Sequence, residues 1–300
     1  MENFEIMFSF IGEQPIPNLL PVKYFKPSKV VMIYTELTEE VKDRLKNVLN
    51  KQHFLIDDSC KTDPYKMDEI ISILERLLIK YTNKKIIFNL TGGTKPMTFA
   101  GYKIAEKYRI PFVYQQSEKN KTLFMYYEFK NDLPILKETP APSLISLKEY
   151  ITVHVPNYQI VNKTKDDPGG KFEKAVKDAL NGNVDEVIVG VRLNNIQVDL
   201  LIRCGNHVGV AELKTSGNKT SAVNQIVLPA RRECLGTYVE KFVIVGDKAT
   251  DNLKQRAEVA GVKVIELPSF KKTNKLSKND MMYLIQEIKD ALIGYEKHLP

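Results

Sequence analysis

Asp199, Glu212 and Lys214 have the types and order that suit hydrolysis at a divalent cation. Hard cations take carboxylate oxygens, and a bound one activates water and neutralises charge on a phosphate. Glu212 and Lys214 are two apart, so on a strand they share a face. Lys214 then orients the water, or deprotonates it if its own pKa is lowered. Glu173, one helix earlier, is a further carboxylate for the surroundings of the site. A second group is Thr91-Gly92-Gly93-Thr94-Lys95, followed by Pro96. Two glycines let the backbone approach a ligand closely. The threonines add hydroxyls and Lys95 a charge. A helix starting at a proline aims N–H groups and the positive end of its dipole at one point. The guest such a turn suits is a phosphate. It is not a nucleoside-triphosphate loop, which needs G-x-x-x-x-G-K-[ST].

The elements that must position these residues follow from periodicity. Ile86-Ile87-Phe88 is a buried strand leading into the glycine turn, and a helix runs on to Tyr108. Before it come strands at Phe4–Phe10, Val30–Tyr34 and His53–Ile56. The stretch Gly12–Asn18 between the first two reads as a loop from its Gly and Pro content. A helix capped by Thr38 should bury Leu37, Val41, Leu45, Val48 and Leu49. Another opens at Asp63-Pro64, with a stripe from Met67 to Leu78. A strand at Pro111–Gln115 and a hairpin at Leu123–Leu136 close this half. Strands alternating with helices predict a parallel sheet, whose ligands bind outside the carboxyl ends of the strands. Gly12–Asn18, Thr35 and Thr91–Lys95 all lie at such ends.

Thr139-Pro140-Ala141-Pro142-Ser143 is the best linker, and residues 144–165 have no clear assignment. After a polar break at Lys165–Gly170 comes a helix, Lys171–Leu180. Strands at Glu186–Val191, Ile196–Ile202 and His207–Leu213 form an antiparallel meander. A helix at Thr220–Cys234, a buried strand at Phe242–Val245, a helix at Thr250–Ala260 and a strand at Val262–Leu267 follow. Lys271, Lys272, Lys275 and Lys278 form a basic tract read as a solvated loop. A last helix, capped by Asn279, should bury Met282, Ile285, Ile288 and Leu292.

The chain has 300 residues, enough for two domains, and its 43% hydrophobic and 27% charged content is that of a globular protein. A net charge of +7 is compatible with a polyanionic partner without requiring one. The three scattered cysteines form no CxxC pair, which argues against a zinc site or disulfide framework. No apolar run is long enough for a membrane span and the N-terminus is no signal peptide, so a cytoplasmic location is expected.

Asn89-Leu90-Thr91-Gly92-Gly93-Thr94-Lys95-Pro96-Met97 resembles the signature of CARF domains, the Rossmann-like sensors of cyclic oligoadenylate. In the second half, a G-x-F-E helix, a hairpin with Asp199, then Ala211-Glu212-Leu213-Lys214-Thr215 and a helix with Gln225 resemble the PD-(D/E)xK nuclease core. Sensor first and nuclease second is the order of the CARF nucleases of type III CRISPR defence. The resemblance implies an α/β chain with a CARF domain at 1–138, a connector at 139–165 and a restriction-endonuclease-like domain at 166–300. It implies ligand contacts from Gly12, Gln14, Asn18, Thr35, Thr91, Gly92, Gly93, Thr94 and Lys95. Asp199, Glu212, Lys214, Glu173 and Gln225 would be catalytic, with Mg²⁺ or Mn²⁺ held by Asp199, Glu212 and Leu213. The implied activator is cyclic tetra-adenylate rather than the hexamer. The assembly would be a homodimer sharing its two-fold axis with the ring, and the substrate RNA, DNA or both. Many relatives carry an acid where this chain has Gln197, so a ligand-binding protein with an inactive nuclease-like domain is the alternative. Slow cleavage of the activator by the CARF pocket is a further option.

Overall fold

Short, wholly apolar runs build the central sheet of the N-terminal half, as expected of strands covered on both faces. The computed structural model describes residues 3–118, 120–161, 166–215 and 221–294. The chain divides into two units, one ending at Leu144 and the other beginning at Ile145.

In the first unit the order is β1 (Ile6–Phe10), α1 (Ile16–Phe25), β2 (Lys29–Tyr34), α2 (Glu39–Lys51), β3 (Leu55–Ile56) and β4 (Cys60–Lys61). Then come α3 (Met67–Lys80), β5 (Ile86–Asn89), α4 (Lys95–Tyr108), β6 (Phe112–Glu118), β7 (Lys121–Lys130) and β8 (Leu133–Pro140). The strands pair in the order β3-β2-β1-β5-β6-β7-β8, with β4 also on β2. The pairs from β3 to β6 are parallel, and β6-β7-β8 is an antiparallel extension. Phe8, Phe10 and Phe88 are fully buried under α3 and α4, alongside Leu74, Met97 and Ile104.

The second unit contains α5 (Leu147–His154), β9 (Gln159–Ile160), α6 (Pro168–Leu180), β10 (Glu186–Leu193), β11 (Ile196–Cys204) and β12 (His207–Lys214). It continues with α7 (Ser221–Val227), β13 (Glu240–Val245), α8 (Asp251–Val259), β14 (Lys263–Glu266), α9 (Ser269–Thr273) and α10 (Lys278–Ile293). Its sheet order is β14-β13-β12-β11-β10-β9. β9 to β12 is antiparallel and β12 to β14 parallel. Phe172 of α6 packs on Phe270 of α9 with ring centroids 4.7 Å apart. Leu284, Ile288 and Leu292 of α10 are fully buried in the same core.

Several local expectations are corrected. Gly12–Asn18 is not all loop, because α1 begins at Ile16 with Pro17 in its first turn, where a missing N–H costs nothing. Thr38 does not cap α2. Its hydroxyl accepts the Thr35 N–H at 2.9 Å and closes a short 3₁₀ turn in which Leu37 is 84% exposed. Asp63 accepts the Tyr65 N–H instead of opening α3, which starts at Met67. Pro168-Gly169-Gly170 is the first turn of α6, capped by the Asp167 carboxylate on the Gly170 N–H at 2.8 Å. The helix after β12 stops at Val227; Thr220 and residues 162–165 lie outside the described residues. In the unassigned connector, α5 and β9 belong to the second unit, and the Glu186 carboxylate accepts the Leu147 N–H at the start of α5. Lys271 and Lys272 lie in α9 and Lys278 in α10, so the basic tract is only partly loop. Ser277, not Asn279, caps α10, and Met282 faces outward while Leu284 takes the core position.

Candidate functional site

Two sites emerge, one in each unit. In the first unit the turn after β5 lies against the loop after β1. A Cβ on Gly92 would stand 2.2 Å from the Phe10 carbonyl oxygen, 2.9 Å from the Gly12 nitrogen and 3.0 Å from Asn18 Nδ2. Only glycine allows that approach. A Cβ on Gly12 would in turn come within 3.1 Å of the Gly93 nitrogen, and Gly93 has φ +80°. Gly12, Asn18, Gly92 and Gly93 are therefore in contact. Gln14 is half-buried in the same loop, and Lys95 is exposed at the first residue of α4. Thr35, at the carboxyl end of β2, is buried and bonded to Thr38.

Both threonines of the turn commit their hydroxyl protons within the fold. Thr94 Oγ1 donates to the Pro64 carbonyl and accepts the Met97 N–H as the cap of α4. Thr91 Oγ1 donates to Asn89 Oδ1 at 2.7 Å and accepts the Gln115 N–H at 2.8 Å. An anion here is left with backbone N–H groups, the α4 dipole and Lys95.

Beneath the turn lie polar residues that the sequence reading did not single out. Ser9 and Asn89 sit at 1% and 0% exposure in otherwise apolar strands. Asn89 Nδ2 donates to the Pro17 carbonyl at 3.0 Å and to Ser9 Oγ at 3.2 Å, and Ser9 Oγ donates to Asn18 Oδ1 at 2.8 Å. The Pro17 carbonyl would ordinarily receive the N–H of residue 21, but that residue is Pro21, inside α1. Asn89 supplies the missing donor. A polar residue inside a fully apolar strand pattern was the available signal.

In the second unit the site is a fork between strands. β11 and β12 pair from Cys204↔His207 up to Leu200↔Ala211 and then part. Beyond that point β11 stays on β10, and β12 stays on β13 as far as Lys214↔Val245. Asp199 and Glu212 would form the next cross-strand pair, so they face each other at the opening. Asp199 Oδ2 accepts the Leu213 N–H at 2.8 Å, in place of a ladder partner. The Lys214 carbonyl accepts from Gly246 N–H on the β13 side. By strand alternation the Leu213 carbonyl points, like its N–H, toward β11 and Asp199.

Glu212 is 5% exposed, and Asp199 stands across the fork from it. Burial, and then the Asp199 charge, push Glu212 up to about 7, against relief from Lys214. Burial raises Asp199 too, opposed by the Leu213 N–H. Lys214 Nζ lies 2.7 Å from Glu212 Oε1. Glu212 is buried and Asp199 half-buried, so charging both carboxyls at the fork is costly without positive charge beyond that of Lys214. Among the described residues no group of three His, Cys, Asp or Glu could hold a metal. The two carboxylates with the Leu213 carbonyl nevertheless suit a magnesium-type ion, which takes one or two carboxylates and completes its shell with water and substrate phosphate. Glu173 lies half-buried on α6, Gln225 exposed on α7 and Gln197 exposed on β11. The trio Asp199, Glu212 and Lys214 is thus brought together.

Residues 6–150 match the family model of the Card1 CARF domain. No curated protein sequence matched the chain. Among solved structures, the fold is similar to Can2 from Sulfobacillus thermosulfidooxidans in complex with cyclic tetra-adenylate. That match has TM-score 0.74 and 14% identity, over 96% of this chain and 99% of that one. Protein VC1899 from Vibrio cholerae gives TM-score 0.73 and 14% identity, over 95% and 98%. A type III CRISPR defence DNA nuclease activated by cyclic oligoadenylate gives TM-score 0.64 and 13% identity, over 97% of this chain and 52% of that one.

Proposed function

We propose that this chain, whose residues 6–150 match the family model of the Card1 CARF domain, is a metal-dependent nuclease of type III CRISPR defence, switched on by cyclic oligoadenylate. The observation that carries the catalytic half is the Asp199–Glu212–Lys214 cluster at the strand fork. A divalent cation bound there would supply a lowered water pKa and charge neutralisation at the scissile phosphate. Asp199, Glu212 and the Leu213 carbonyl would hold the ion. Lys214, fixed by Glu212, orients the attacking water and faces the anionic substrate. Glu173 and Gln225 take supporting roles.

The sensor half rests on the glycine turn at the N-terminus of α4 and on the likeness to Can2, whose structure holds cyclic tetra-adenylate. That ring is the activator we assign, ahead of the hexamer. A homodimer would place one Thr91–Lys95 turn on each half of the ring, and the ligand would act by favouring the closed dimer. The unit that ends at Leu144 then forms the sensor, and the unit that begins at Ile145, with α5 and β9, the nuclease.

The test is cleavage of labelled single-stranded RNA, single-stranded DNA and supercoiled plasmid with Mn²⁺ or Mg²⁺, with and without cyclic tetra-adenylate. Cutting that needs both ligand and metal is the expected result, and the substrate cut fixes its class. Cutting without ligand removes the sensor role. Silence with the tetramer and the hexamer alike leaves the second reading, a ligand-binding protein whose fork no longer cuts, which the exposed Gln197 favours.

A further inference from the structure

We infer that Asn89 is the positioning residue of the ligand pocket, and that it fixes the hydrogen-bond polarity of the pocket floor. The inference rests on the sensor reading above and extends it to Ser9, Asn89 and Gln115, which were not counted among the ligand contacts.

The hydrogen bonds beneath the turn form one directional chain across four elements. It starts at a backbone donor whose sense cannot change. The Gln115 N–H of β6 donates to Thr91 Oγ1, and Thr91 Oγ1 donates to Asn89 Oδ1. The Thr91 N–H also donates to Asn89 Oδ1, at 3.2 Å. With its oxygen turned to two donors, the Asn89 carboxamide must direct its NH₂ to the other side. There it donates to the Pro17 carbonyl of α1 and to Ser9 Oγ of β1. Ser9 Oγ, now an acceptor, gives its own proton to Asn18 Oδ1. That sets the Asn18 carboxamide in turn, with its oxygen toward Ser9 and its NH₂ toward the turn. Asn18 is 2% exposed, its Nδ2 has no hydrogen-bond partner among the described residues, and it lies against Gly92.

Reversing the Asn89 carboxamide would set donor against donor at the Thr91 N–H and acceptor against acceptor at Pro17, and reversing Asn18 would leave the Ser9 proton without its acceptor. Every member therefore has one orientation, and linked bonds of this kind reinforce each other. The physical consequence is twofold. The loop after β1 and the turn after β5 are held in one register through a single side chain. The Asn18 NH₂ is buried against Gly92 with its donor side toward the turn, so the floor beneath the ligand-facing backbone carries positive polarity, which suits the oxygens of a phosphodiester ring.

The experiment is calorimetric binding of cyclic tetra-adenylate to the full chain and its variants, with thermal melting as the control for folding. Ser9→Ala breaks the chain between Asn89 and Asn18 without adding charge, and should weaken binding roughly tenfold, the worth of one such bond. Its cutting rate at saturating ligand should be unchanged, a split that a general loss of structure would not produce. Thr91→Ser keeps the hydroxyl and should bind as the parent does, whereas Thr91→Val should lose roughly as much as Ser9→Ala. Asn89→Asp, which removes both donors and adds a buried charge, should lose more. Parent binding with Ser9→Ala and Thr91→Val unaffected overturns the inference alone. No binding of either ring by the parent protein overturns the sensor reading, and this inference with it.

Discussion

Glu212 faces Asp199 across a strand fork, and that proximity governs the behaviour expected of the residues proposed as catalytic. Folding raises the Glu212 pKa from 4.5 to about 7, so the folded chain holds a proton that the unfolded chain releases between those values. In chelator, stability should fall as pH rises through this window and level off above it, by up to about 3 kcal/mol. Urea melts at pH 5 and pH 8 would read this, and Glu212→Gln should flatten it. A cation must displace the same proton, so apparent Mn²⁺ affinity should rise with pH up to about 7 and then plateau, as calorimetry would measure. Glu212→Ala and Lys214→Ala should each lower cutting by at least about 100-fold while leaving cyclic tetra-adenylate binding intact. Persistent cutting by both variants would remove the fork from the mechanism.

At the scale of elements, a turn and its helix are only as good as the backbone contact beneath them. Gly92→Ala puts a methyl 2.2 Å from the Phe10 carbonyl oxygen, and neither backbone can yield without moving a central strand. Ligand binding should be lost and stability reduced by roughly 1–3 kcal/mol, the range for overpacking; denaturant melts and calorimetry check the two together. Asp167→Ala removes the carboxylate that caps α6 and should cost about 1 kcal/mol without touching ligand affinity. The elements themselves were mostly readable. Apolar runs gave the buried strands, and 3.6-residue stripes gave α2, α3 and α10. Errors gathered at helix starts, where Ser, Thr, Asp and Asn stand close together and only the backbone path decides which oxygen meets an N–H. Thr35 against Thr38 and Ser277 against Asn279 are such cases. α1 was missed for a different reason. Pro15, Pro17 and Pro21 argue against a helix locally, and it holds because Asn89, 72 residues away, satisfies the carbonyl that Pro21 leaves open.

At the scale of the molecule, the two units have separate cores, one around Phe8, Phe10 and Phe88 and the other around Phe172, Phe242 and Phe270. Residues 1–144 expressed alone should therefore fold and bind cyclic tetra-adenylate within about tenfold of the full chain, but cut nothing. Failure to bind, in a fragment that melts cooperatively, would mean that the second unit completes the pocket. Among the described residues no helix is long and apolar enough to cross a membrane.

The sequence by itself determined the chemistry on offer: a glycine turn before a helix, an acid followed by an acid-x-lysine pair, and the alternation of strands that places both at sheet ends. Those features are local, and local spacing fixes which side chains share a face. Tertiary structure alone decided how the groups are used. Strand register brought Asp199 against Glu212, 13 positions away, and the parting of β11 from β12 freed the Leu213 peptide. Packing of β1, α1, β5 and β6 turned the Thr91 hydroxyl inward and joined Gln115 to Asn18 through Asn89. Contacts between residues tens of positions apart depend on how whole elements stack, and no pattern of neighbouring residues records that.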